Sequence, residues 1–258
     1  VLVIRVKDVS PLVCWENTVE IFRQIDSHLS SPVLGAKNDC LWLDMRFPDG
    51  FRYVMMIRII PTGGTAYRDW MKKNLRKKYW QHPSSSVKGE VVGDRVMAKV
   101  AGDFDLFLTV VTSKESTNPM DDAQDLLNEA VNIGFARLHK RHKKWWTTFW
   151  PKSFVQLESS LLEQLWYFSL YQLASCYRKP PVPGLCGLWF GPNDETSQML
   201  PWHGYYTNDL NSQIVPMPVF SANHPELAEP FLKTFLNMLP EVKKETKKLY
   251  NINGAMFP

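Results

Sequence analysis

Residues 201–214 read PWHGYYTNDLNSQI, where Trp202, His203, Tyr205 and Tyr206 crowd together ahead of Asn208, Asp209, Asn211 and Gln213. A further tryptophan, Trp189, closes the upstream run Pro183-Gly184-Leu185-Cys186-Gly187-Leu188-Trp189. A packed core excludes such amides, and a plain surface loop has no use for the aromatics. A sugar needs both. Its hydroxyls donate and accept, as an amide does taken whole, and its C–H faces lie on flat ring surfaces. Asp209, Asn211 and Gln213 alternate, so an extended backbone points all three to one side. They would make a polar wall opposite Trp189, Trp202 and Tyr206, with His203 in reach of substrate. The competing reading is an amide ladder that ties a long loop to the helices around it.

Other titratable groups are more easily explained without chemistry. His139 and His142 stand three apart with no third ligand near them in sequence, so no metal site is signalled. Glu158 and Glu163 suit a helix edge, and Glu226 and Glu229 suit the first turns of a helix, where the dipole favours acids. Asp194 and Glu195 lie in the same long loop as the aromatics. Cys14, Cys40, Cys176 and Cys186 form no C-x-x-C pair, and buried free thiols are the expectation, although Cys176 and Cys186 flank a proline-rich loop. No cofactor is implied.

Two kinds of element must position these residues. CLWLDMRF (40–47) and FRYVMMIRII (51–60) read as strands joined across Pro48-Asp49-Gly50. RVMAKVA (95–101) and DFDLFLTVVT (103–112) read as a second hairpin across Gly102-Asp103. Between them, residues 66–90 are charged and Ser-rich and read as an insertion. From Asn118-Pro119 the period turns helical, with Ala123, Leu126, Leu127, Ala130, Val131 and Leu138 on one stripe. This helix is expected to run on to Lys144 and end in an aromatic break, Trp145 to Pro151. SSLLEQLWYFSLYQLASCY (159–177) is apolar on nearly every side, as in a helix buried among helices. Two more helices are expected, one capped by Asn223 and one over EVKKETKKLY.

The totals fit this picture. Ten tryptophans and 18 prolines in 258 residues mark an aromatic, loop-rich chain, and 45% hydrophobic content is ordinary for a globular one. Apolar runs such as VMMIRII stop well short of the ~20 residues of a membrane helix. The net charge of +4 gathers in KKNLRKK, HKRHKK and KKETKK. Without a nucleic-acid-binding motif these runs read as solvated helix faces, so neither nucleic acid nor membrane is an expected partner. No leader is recognisable at the first residues, and both ends look cut.

The second half resembles glycoside hydrolase family 95, the α-L-fucosidase and α-L-galactosidase group, and its relatives among (α/α)6 glycosidases. The resemblance rests on FARLHKRHKKWW (135–146), LWYFSLYQLASCYRKPPVPGLCGLW (165–189), PWHGYYTNDLNSQI and NHPELAEPFLKTF (223–235). FRYVMMIRIIPTGG is similar to the family's last sandwich segment. The resemblance implies the C-terminal part of an antiparallel β-sandwich (1–113), a helical linker (114–150) and the first hairpins of a truncated (α/α)6 barrel (151–258). It implies hydrolysis of O-glycosyl bonds with inversion, an oligosaccharide or glycan as substrate, and an extracellular or periplasmic location. In the family's Asn-x-Asn motif two amides hold the attacking water. Alignment through Asn211 and Gln213 places Asp209 and Asn211 there; a slip of one residue places Asn208 first. Asp209 departs from the family's asparagine, and Ile214-Val215-Pro216-Met217 departs from its usual MNYW-like tail. A carboxylate is the better base, and an inverting enzyme needs base and acid about 6.5–9.5 Å apart. Asp209 is therefore the candidate base, and the acid is expected beyond Pro258, leaving this stretch inactive alone. A non-catalytic sugar-binding protein on the same scaffold is the alternative.

Overall fold

The computed structural model describes residues 1–7, 16–23, 29–63, 87–179, 182–183 and 210–257. Antiparallel sheets and helices make up the chain, which divides into two compact units, Val1–Lys143 and Lys144–Pro258.

In the first unit, β1 (Leu2–Val6), β8 (Asp103–Thr112), β5 (Arg52–Gly63), β4 (Cys40–Arg46) and β3 (Val33–Lys37) form one sheet in that order. β2 (Glu16–Phe22), β7 (Arg95–Ala101) and β6 (Lys88–Val92) form a second. All pairings are antiparallel. Alternation along the strands decides what lies where. Leu41, Leu43, Met45, Ile57 and Ile59 of the larger sheet meet Ile21, Val96, Ala98 and Val100 of the smaller one in a shared core. The opposite face of the larger sheet offers Cys40, Val54, Met56, Phe107 and Val111. Helix α1 (Pro119–Ile133) covers that face with Ala123, Leu127 and Ala130, spaced four and three apart. The β5 strand is thus apolar on both sides because it is buried on both.

The β4–β5 hairpin forms as expected, with Gly50 at φ +88°. The second expected hairpin does not. β7 and β8 are consecutive but belong to different sheets, and Gly102 at φ +76° turns the chain from one to the other. Two strands with a glycine turn between them carry the same local signal whether they pair or cross a sandwich.

The expected single linker helix is two. Gly134, at φ +77°, separates α1 from α2 (Phe135–Phe149). The aromatic run is no break, since Trp145, Trp146 and Phe149 lie within α2, and only Trp150–Lys152 departs into a 3₁₀ turn. α3 spans Ser160–Cys176, with Ser159 Oγ accepting from the Leu162 amide at its start. Two short helices follow, α4 (Leu210–Ile214) and α5 (Pro218–Ser221).

Asn223 caps no helix. It sits at φ +55° and its Nδ2 donates to the Lys152 carbonyl at 2.9 Å, and a 3₁₀ turn over Pro225–Leu227 precedes α6 (Glu229–Tyr250). The two expected C-terminal helices are this one 22-residue helix, which runs through Pro240. Proline removes one ladder bond, and the helix continues past it to Tyr250.

Candidate functional site

Trp189, Trp202, His203, Tyr206 and Asp209 lie outside the described residues, as do Asn208, Asp194 and Glu195. Asn211 and Gln213 fall on α4. This corrects the expectation of an extended, alternating backbone at this point. At 3.6 residues per turn, positions two apart are about 200° apart around a helix. An extended run that sets both on one side is therefore not what forms here, and Gln213 is exposed.

The helical unit pins the long segment at both ends. Leu170, Leu173, Ala174, Cys176 and Tyr177 of α3 and its C-terminal turn form a buried cluster with Phe149. Val182, just before the undescribed stretch, is in that cluster, and so are Val219, Ala222, Leu227 and Ala228 after it. Segments flanking residues 184–209 are thus anchored in one apolar core. Burial also pushes the Cys176 thiol up to about 11, so it stays protonated and inert at neutral pH. Cys40 and Cys176 are both free.

Aromatic packing stiffens the same core. Trp146 stacks on Trp150 at 5.2 Å and on Tyr171 at 5.2 Å, and the Arg178 guanidinium lies 4.3 Å over the Trp145 ring. These tryptophans brace helices, which settles their role as packing groups.

His224, whose place beside Asn223 suggests a local hydrogen bond, makes one and also centres a group that sequence reasoning did not assemble. This side chain is 0% exposed, stacked on Phe149 at 3.8 Å, and its Nδ1 lies 3.0 Å from Glu226 Oε1. Its Nε2 has no hydrogen-bond partner among the described residues. Lys152 Nζ donates to the same Glu226 oxygen at 2.6 Å. Partial burial works against ionising Glu226, yet the bonds from Lys152 and His224 prevail and hold its carboxyl at about 2. So acidic a carboxyl is a poor proton donor at neutral pH and does not suit a general acid. The signal available in sequence was the cluster Asn223-His224-Pro225-Glu226, which reads as a helix start unless Lys152 is known to be adjacent. Glu229 pairs with Lys233 at 2.6 Å, and Glu163 accepts from the Leu157 amide at 2.9 Å. Both are structural groups, as their helix positions suggested. Among the described residues no three metal-ligating side chains gather.

Residues 128–258 match the glycosyl hydrolase family 95 catalytic domain. The chain belongs to this family. The match encloses the aromatic and amide-rich loop and bears out the resemblance read from the motifs. Relatives include maltose phosphorylase of Bacillus subtilis strain 168, 25% identical over 180 residues, covering 69% of this chain and 23% of that protein. Nigerose phosphorylase of Lachnoclostridium phytofermentans is 27% identical over 161 residues, covering 62% and 20%. Kojibiose hydrolase of Flavobacterium johnsoniae is 28% identical over 161 residues, covering 60% and 21%. The chain spans about a fifth of the length of the curated relatives it matches. A carbohydrate-active enzyme family is thereby established for the helical part. No helix among the described residues is long and apolar enough to cross a membrane.

Proposed function

We propose that this chain contributes the sugar-facing loop of an inverting, α-L-fucosidase-like glycoside hydrolase. The observation that carries the reading is the family match across residues 128–258, which spans the whole of segment 183–213. Asp209 is the base that draws a proton from the attacking water, and Asn211 orients that water. Trp189, Trp202 and Tyr206 stack against sugar C–H faces, and His203 contacts a hydroxyl. Gln213 offers the substrate a further amide. The general acid comes from outside residues 1–258, so these residues alone are catalytically silent and the substrate is an oligosaccharide or glycan met by the whole enzyme.

The test is Asp209→Asn in the full-length enzyme. An amide cannot take the proton, and hydrolysis is expected to fall by about 10²–10⁴-fold, with the acidic limb of the pH profile lost. A near-normal rate would end the assignment.

Two relatives are named as phosphorylases, which favours a second reading, phosphorolysis. Phosphate brings its own negative charge and needs no base, and a carboxylate at Asp209 would repel it. If the full-length enzyme releases a sugar phosphate only when inorganic phosphate is added, and Asp209→Asn leaves that rate intact, phosphorolysis replaces hydrolysis.

A further inference from the structure

A second place in the molecule combines an aromatic platform with amides and a carboxylate, and it lies wholly in the first unit. An open cleft of about 460 Å³ runs between β4, β5 and α1. Its volume falls in the roughly 300–1,000 Å³ range of small-molecule sites. Trp42, Arg58, Asp39, Asn128, Gln124 and Lys37 line it.

The platform is built into the sheet. Trp42 stands opposite Gly35 in the β3–β4 register. A Cβ added at Gly35 would lie 2.1 Å from Trp42 Cζ2 and 2.2 Å from Cε2. The indole therefore lies flat across the β3 backbone, in space that only glycine leaves open. Trp42 remains half-exposed and lines the cleft instead of being sealed in the core.

The polar side is fixed as firmly. Arg58 Nη2 donates to Asp39 Oδ2 at 2.7 Å and Arg58 Nη1 to Asn128 Oδ1 at 3.0 Å, so strand and helix clamp one guanidinium. Gln124 Nε2 donates to the same Asn128 oxygen at 3.2 Å. These bonds occupy Asn128 Oδ1 and Asp39 Oδ2. The Asn128 amino group, Asp39 Oδ1 and Lys37 Nζ have no hydrogen-bond partner among the described residues. The cleft thus keeps both donors and acceptors in reserve beside a ring face. Its charges cancel, Lys37 and Arg58 against Asp39 and Asp121, which suits an uncharged polyol better than an anion.

We propose that this cleft is a non-catalytic binding site for a neutral sugar unit, stacked on Trp42 and bonded through Asn128, Asp39 and Lys37. The ligand class rests on the carbohydrate-active reading of the family; the site itself is independent of the loop that carries Asp209.

The experiment titrates the 258-residue chain with maltose and with kojibiose by calorimetry, in four forms: unaltered, Trp42→Ala, Gln124→Ala and Gly35→Ala. Circular dichroism checks that each form is folded. The expected result is saturable binding that weakens about tenfold or more in Trp42→Ala. Gly35→Ala should weaken it comparably, since it displaces the indole while leaving every other lining side chain in place. Gln124→Ala removes a lining amide that also braces Asn128 and accepts from Cys40, and should cost about threefold. Binding unchanged in both Trp42→Ala and Gln124→Ala, or no saturable binding of either disaccharide, overturns the proposal. Asp209→Asn separates the two sites: it should slow hydrolysis by about 10²–10⁴-fold in the full-length enzyme and leave the Trp42-dependent binding unaltered.

Discussion

The β-rich unit and the helical unit solve the burial problem differently. In the first, Leu41, Met45, Val54, Ile59 and Val96 are fully buried, and the acids that go inside are paired. Asp44 takes two bonds from Arg52, at 2.8 and 2.9 Å, and Asp105 takes two from Arg5, at 2.7 and 2.8 Å. Bidentate pairing of this kind satisfies both oxygens of a buried carboxylate. The helical unit has its own buried cluster, yet Phe154 is 77% exposed, Leu161 65%, Leu210 65% and Leu236 64%. So many large uncovered apolar side chains are unusual on a lone globular surface. The β-rich unit finishes its core with its own residues, whereas the helical one carries apolar faces suited to further packing.

The sharpest way to break this contrast is inside the sandwich. Ile59→Ala empties a fully buried position on the central strand and should cost about 2–5 kcal/mol. Hydrogen exchange across β4, β5 and β8 reads the loss. Amides in Lys144–Pro258 should be unaffected, and a parallel loss there would show that the two units fold as one. Next in size is Arg52→Met. It strands Asp44 at 7% exposure, and about 1.5–3 kcal/mol should follow. Lys233→Met in the helical unit also removes an ion-pair partner, but both side chains there are exposed. It should cost no more than about 0.5 kcal/mol, measured by the same exchange.

Much of this arrangement was legible in the residues, because period and turn chemistry are local. Ala123, Leu127 and Ala130 announced α1, and Pro48-Asp49-Gly50 announced the β4–β5 hairpin. What failed depended on partners distant in sequence. Gly102-Asp103 looks the same in a hairpin as in a crossing between sheets, and only β2 and β1, far upstream, decide the matter. Pro240 reads as a stop, yet the helix passes through it. At the candidate site, the composition of 201–214 pointed to sugar chemistry and the family match agrees, but the alternating wall assumed a strand where α4 forms a helix. Short polar stretches carry both periods about equally, so Asn211 and Gln213 gave no means of choosing. Trp42 was also readable in principle. A tryptophan set opposite a glycine across a hairpin is a platform, but the register that makes them opposite comes from pairing.

A smaller effect separates the units by pH. The Glu226 carboxyl is held at about 2, against an ordinary 4.5, by Lys152 and His224. Because the folded value is the lower one, its contribution to stability is complete above about 4.5 and disappears as pH falls through about 2. Much of the side chain is in water, so the loss should be modest. Hydrogen exchange over residues 216–235 should speed up on acidification through this window, and Glu226→Gln should flatten that response. An unchanged acid response in Glu226→Gln would mean that other carboxylates govern this unit.

The smallest effect on stability is also the most direct test of what the exposed helical faces are for. Leu161 lies in the first turn of α3, outside the buried cluster built by Leu170, Leu173 and Ala174. Replacing it with glutamine removes an apolar side chain from water and not from a core, so stability should change by no more than about 0.5 kcal/mol. Glutamine is also a good helix former, so α3 should keep its propensity. What should change is adhesion: Leu161→Gln combined with Leu165→Gln should lower binding of a hydrophobic dye and reduce self-association of the 258-residue chain. If stability instead falls by 2 kcal/mol or more, those leucines already pack against this chain, and the helical unit is as self-contained as the sandwich.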